Sequence, residues 1–345
     1  MLKRLLTFAV LAVSVTAASA VAGSPESAAP RQKLYVTNSG GNDVTVIELP
    51  SHRVVGSIDV GPHPHGIGVP ASQDVIYVSG EGRGELVTID PFTDKVTKTI
   101  KIGSLPNQLA VTRNGKFVYV PVDDGHWEVI DTAAGKIIKR IKTGGKPHNT
   151  VCSADGKRMY LAPMGDPHKV TIVDVATHSA VGEIPFSSVV RPVTLSLDEK
   201  RFYAQVDGLI GFEVADVRSR KMIHRVAVQL TPEQEKVTSR SHGIGIRPDQ
   251  KELWECDVEH GLVQVFDLTV EPPRQIATID MDGKVYWLTF SPDGKVCYVS
   301  VRTQNEVAAV DTETKKIFTR IPVGDVPKRL IVLTLPEKRP AAAAN

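Results

Sequence analysis

At 345 residues, with 41% apolar residues, 27 Gly and 23 Pro, the chain is long enough for a sizeable core and turn-rich enough to suit an all-β protein. Its formal net charge is +2, and without Lys3 and Arg4 the basic and acidic residues balance at 39 each, so the basic excess that a nucleic-acid partner requires is missing. Three cysteines allow at most one intrachain bridge and exclude a disulfide framework.

The chain opens on Lys3-Arg4, an apolar run from Leu5 to Val15, and the small residues Ala18-Ser19-Ala20. This is the order of an export leader over residues 1–20, and the run is too short to span a bilayer. A periplasmic or secreted protein with no membrane span after leader removal is therefore expected. Residues 21–32 are small, polar and Pro-containing and read as a disordered linker, and residues 337–345 read as a disordered tail.

Between them, residues 33–336 repeat one pattern. The clearest copy runs from Lys146 to Ile184. It has four short apolar runs (Thr150 to Cys152, Met159 to Ala162, Val170 to Val173, Val181 to Ile184) separated by turn residues such as Ala154-Asp155-Gly156. Full copies begin at Pro62, Ser104, Gly145, Ser188, Arg240 and Gly283; before them Lys33 to Val60 holds three strands, and after them Lys328 to Leu335 holds one. Four strands in roughly 40 residues form a propeller blade, which cannot bury its faces without neighbours. The sequence thus predicts an all-β, seven-bladed propeller of four-stranded blades. A composite blade of N-terminal strands plus one C-terminal strand closes the ring and removes its free edges.

The segment Leu34-Tyr35-Val36-Thr37-Asn38 has variants at Tyr77-Val78-Ser79, Tyr119-Val120-Pro121, Tyr160-Leu161-Ala162 and Tyr298-Val299-Ser300. The turns Ser153-Ala154-Asp155-Gly156-Lys157 and Ser291-Pro292-Asp293-Gly294-Lys295 share an S-x-D-G-K pattern. By these motifs the chain resembles the YVTN-family β-propellers over nearly all of the repeat region. The resemblance implies the propeller fold. Propellers of similar shape include lactonases, a metal-dependent antibiotic lyase and redox-enzyme subunits, beside surface-layer and periplasmic proteins.

An acid closes the third strand of every repeat: Glu48, Asp90, Asp131, Asp174, Asp216, Asp267 and Asp311. Such repetition is expected of a turn cap, in which a carboxylate accepts backbone N–H bonds. Function is expected where the blades differ. Aligning the repeats on the second-strand Tyr gives one recurring position at the channel mouth, occupied by Lys328, His65, Asn107, His148, Arg191, His242 and Tyr286. All seven are polar. The ends of the second strands add Glu81, Glu255 and Arg302 on the same face.

Two readings of this ring stand. In the first, an exported binding module presents a polar, His-containing site to a small molecule or protein partner. In the second, His65, His148 and His242 hold a divalent transition metal, and a metal-bound water serves a lyase or lactone hydrolase. A scaffold subunit for a redox partner is a third. No G-x-S-x-G elbow, P-loop, H-E-x-x-H or C-x-x-C-H motif is present. An insertion between Val226 and Ser239 lengthens the exit loop of the fifth blade on the ring face. Whether Cys256 and Cys297, in neighbouring repeats, pair with each other stays open.

Overall fold

The computed structural model describes residues 31–336. The leader, most of the linker segment and the tail lie outside them. The first strand begins at Arg31, two residues inside the segment read as linker.

The repeat pattern folds as seven four-stranded antiparallel sheets arranged in a ring. Blade 1 is the composite one: Pro327–Leu335 is its innermost strand, followed outward by Arg31–Asn38, Asp43–Leu49 and Arg53–Asp59. Tyr35 faces Ile331 across the seam. Blades 2 to 7 are each contiguous in the chain, with innermost strands Pro64–Gly68, Ala110–Val111, Lys146–Cys152, Val190–Leu195, Ser241–Ile246 and Val285–Phe290.

Burial follows from stacking. Second and third strands lie between two neighbouring blades, so both of their faces are covered. Ile76–Gly80 is buried throughout, and such strands read as continuous Val, Ile and Leu runs instead of alternating ones. Outermost strands form the rim and are polar: Lys95–Lys101 and Lys136–Lys142 bury one residue each, and their lysines discourage pairing at the exposed edge. Seven apolar clusters result, and each joins residues of two adjacent blades, as Tyr160 of blade 4 with Phe202 of blade 5, or Val36 of blade 1 with Tyr298 of blade 7. Each large side chain so buried contributes roughly 1.5–3 kcal/mol. The core therefore lies between blades, and no blade owns one.

The repeated polar residues hold this arrangement. The second-strand Tyr hydroxyl reaches the outer turn of the next blade: Tyr35 to Asp94 Oδ1 (2.6 Å), Tyr119 to His178 Nδ1 (2.5 Å) and Tyr298 to His52 Nε2 (3.2 Å). The six aspartates of the acidic series cap turns as expected, with Asp131 accepting from the Ala134 N–H at 2.8 Å and Asp311 from the Thr314 N–H at 2.7 Å, whereas Glu48 accepts from the Ser51 hydroxyl and Arg53. Trp127 is fully buried and donates to Thr150 Oγ1 of the next blade, so it packs the core and marks no contact surface. Cys256 and Cys297 are buried free thiols in the cluster between blades 6 and 7.

Candidate ligand site at the channel mouth

The ring positions stand out because of a backbone irregularity. In six blades the ladder between innermost and second strand slips at the ring position, between Pro64 and Ile67, Pro147 and Asn149, Val190 and Val193, Ser241 and Ile244, Val285 and Leu288, and opposite Val36 and Asn38. A β-bulge of this kind frees a residue from pairing and re-aims its side chain. Asn107 reaches the same place without one, because the innermost strand of blade 3 has only two residues and starts after it.

Backbone carbonyls at ring positions, bulged or not, are bound by the preceding blade. Thr37 Oγ1 donates to the His65 carbonyl at 3.0 Å, Ser79 Oγ to the Asn107 carbonyl at 2.8 Å, and Ser300 Oγ to the Lys328 carbonyl at 2.8 Å. The third residue of the Tyr-Val-Thr/Ser motif therefore fixes the ring residue of the next blade. It also satisfies carbonyls that would otherwise be buried unpaired.

His65, Asn107, His148, Arg191, His242, Tyr286 and Glu81 line one cavity of ≈ 310 Å³, together with Leu105, Lys146, Pro147, Met164 and Arg240. Lys328 and Arg302 flank its wall, with Nζ and Cζ at 5.7 and 5.9 Å from the Tyr286 ring centroid. Glu255 is elsewhere. It is fully buried between blades 5 and 6, where Gln205 Nε2 donates to it at 2.9 Å. Burial pushes its carboxyl up to about 8.

The three histidines are almost fully buried, and burial keeps them neutral: His65 titrates at about 4, and His148 and His242 are held well below the usual range. His65 Nδ1 bonds Glu81. Burial alone would raise that carboxyl, but the bond to His65 carries it below its usual range, so Glu81 is the anion and His65 Nδ1 bears the proton. His242 Nδ1 faces the Tyr286 carbonyl at 3.4 Å, which again requires the proton on Nδ1. Both rings thus keep a bare Nε2.

Sequence reasoning missed the most unusual residue, Arg329. It is 1% exposed, its Nε, Nη1 and Nη2 have no hydrogen-bond partner in the protein, and its guanidinium lies 3.3 Å over the Trp287 ring. Trp287 is 6.2 Å from the His242 ring, which is 4.1 Å from Tyr286 and 6.0 Å from His148. Arg329 is close enough that its charge, after burial, helps to disfavour protonation of all three histidines. Burial draws its own guanidinium down to about 9. The available signal was a charged residue at the start of an otherwise apolar closing strand.

Among the described residues, no group of three or more His, Cys, Asp or Glu is gathered as a metal-ligand set. The three-His centre expected from the sequence is therefore not assembled. The rings come from alternate blades, and the Arg329 cation that opposes their protonation opposes a dication in the same way. The other cations are partly answered: Arg191 by Asp207, and Arg302 by Glu259 at 3.5 Å.

Together the architecture and the mouth define a seven-bladed β-propeller with a polar pocket at one end of its channel. No family model and no curated protein matches the chain. Solved structures do. Hydrazine synthase from Kuenenia stuttgartiensis is similar over 79% of this chain and 95% of its own (21% identity, TM-score 0.70). A Lactobacillus plantarum protein is similar over 88% and 99% (15% identity, TM-score 0.75), and the Pseudomonas aeruginosa periplasmic gluconolactonase PpgL over 89% and 100% (17% identity, TM-score 0.70). At these identities the likeness is one of fold. Among the described residues no helix is long and apolar enough to cross a membrane.

Proposed function

We propose that the protein is an exported, YVTN-type β-propeller that binds a small polar ligand in the cavity at its channel mouth. The observation that carries this reading is the convergence of bulged ring residues from different blades on one cavity, where a buried nitrogen of His65 and one of His148 have no protein partner; the equally unpartnered Arg329 lies buried beside Trp287. Buried polar groups without partners cost about 1–3 kcal/mol each, more when charged, and binding sites are where such cost is tolerated. The cavity volume is that of a small-molecule site. Export follows from the leader-like residues 1–20, and periplasmic gluconolactonase shows that the fold serves in that compartment.

One observation favours the second reading, a metal-dependent lyase or lactone hydrolase. Metal-ligating histidines commonly commit one ring N–H to a carboxylate or carbonyl, as His65 and His242 do here. That reading requires the imidazoles to close on the ion. Elemental analysis of protein purified without added metal, combined with thermal melting against a panel of small polar metabolites, separates the two. The binding reading expects no stoichiometric metal. It also expects a ligand-dependent rise in melting temperature that His148→Ala and Arg191→Ala reduce. A stoichiometric metal lost in His65→Ala and His242→Ala would overturn it in favour of the enzyme.

A further inference from the structure

We infer that the ligand of this cavity is a small hydroxylated carboxylic acid, bound through its carboxylate to Arg329 and through a hydroxyl to His65. The inference rests on the ligand-binding reading above and specifies the ligand's chemistry.

The carboxylate half follows from Arg329. With one face of the guanidinium against Trp287, its unpartnered nitrogens are available only in the plane of the group. Edge-on approach suits a planar, bidentate carboxylate. Among the described residues no carboxylate fills this role. Glu81 is taken by His65, Asp207 by Arg191, and Glu259 by Lys284 and Arg302. Lys328 and Arg240 add positive charge at the wall, which favours an anion over a neutral guest.

The hydroxyl half follows from the tautomers. Because Glu81 accepts from Nδ1 of His65, the buried Nε2 of that ring offers a lone pair and has no donor in the protein to meet it. His242, with Nδ1 turned to the Tyr286 carbonyl, presents the same kind of nitrogen. A simple carboxylate satisfies the guanidinium and leaves these acceptors unmet. A ligand O–H satisfies both sides. Arg329 does not itself line the cavity in this state and is closed off from solvent, so binding of the acid requires the side chains between it and the cavity to rearrange.

The test uses four probes of similar size with the full chain: lactate, propionate, 1,2-propanediol and inorganic phosphate, each titrated by calorimetry. Lactate is expected to bind at least ten-fold more tightly than propionate or the diol, and more tightly than phosphate. Arg329→Met is expected to bring lactate down to the level of the diol, while Arg329→Lys, which keeps the charge, retains a preference for acid over diol. His65→Leu is expected to shrink the lactate advantage over propionate below three-fold; a cooperative melting transition and native circular dichroism certify that this variant is folded. Tighter binding of the diol than of either acid overturns the acid assignment and leaves the ligand-binding reading standing, as does equal lactate affinity in Arg329→Met. Preference for phosphate over lactate overturns the carboxylate and keeps an anion. If none of the four binds, the acid assignment falls, and the metabolite panel decides the broader reading on its own.

Discussion

Glu255 shows how far one residue departs from its blade-mates. It follows the second-strand aromatic Trp254, where other blades carry Val36, Val78, Val120, Leu161, Ala204 and Val299. It is a carboxyl in a position built for aliphatic packing between blades, which is why it is absent from the channel mouth. Its pKa, raised by burial to about 8, fixes a sign. Between 4.5, the ordinary value, and 8 the folded protein holds a proton that the unfolded chain has lost, so folding stability falls as pH rises through that window and levels off above it. Glu255→Gln mimics the protonated form. Its stability advantage over the native protein is expected to grow from near zero at pH 4.5 to a few kcal/mol at pH 8, at roughly 1.4 kcal/mol per unit as an upper bound. Urea denaturation at the two pH values measures it, and an advantage independent of pH would show that the carboxyl is not the cause.

At the scale of elements, the insertion of blade 5 is tied down by one histidine. His260 Nδ1 lies 2.7 Å from Asp257 Oδ2 and its Nε2 lies 2.9 Å from the Gln234 carbonyl, in the 3-10 turn Gln234–Lys236 of the inserted loop. Both partners are acceptors, so the ring makes both bonds only as the imidazolium. Burial works against that charge, but the Asp257 carboxylate and the loop carbonyls outweigh it and the pKa is raised. His260 lies in the turn between the second and third strands of blade 6, with its side chain only 4% exposed. For a base with a raised pKa the stabilisation is complete below about 6.5 and is lost as pH rises through the folded value. The loop ends at Arg240, which lines the cavity. Cleavage at Lys236 by a limiting protease is expected to be about five-fold slower in the native protein than in His260→Asn at pH 6, the ratio falling toward one as pH rises through the raised pKa of His260. The ratio cancels the protease's own pH profile, and a ratio that stays constant removes the latch.

For the whole molecule, closure is the decisive event. Pro327–Leu335 supplies the inner strand of blade 1, and Leu333 and Leu335 complete the cluster shared with blade 2. Deleting residues 327–345 is expected to leave Arg31–Asn38 as an open edge and to convert a monodisperse protein into one that binds hydrophobic dye and self-associates, read by light scattering. A monodisperse, cooperatively folding truncation would show that the other strands suffice. This ring was legible in the sequence because its signals are local and repeated: turn residues every few positions, the Tyr motif and the terminal strand count. The ring positions were legible for the same reason, since a bulge in each blade leaves them at equivalent places. Arg329, by contrast, sits one residue off the aligned position. Its significance depends on Trp287 and His242 arriving from other blades, and no repeat alignment records that. Glu255 was misplaced because alignment locates a residue along a strand without saying which neighbour its face meets.

The closing strand also carries Lys328 and Arg329. In order of synthesis, then, the Arg329 cation is made after all three histidines whose protonation it opposes. A partial chain can own His65, His148 and His242 and still lack the guanidinium proposed to hold the ligand. On the proposed reading, capture of the acid would wait for this strand to close blade 1, so ligand binding and ring closure would be coupled.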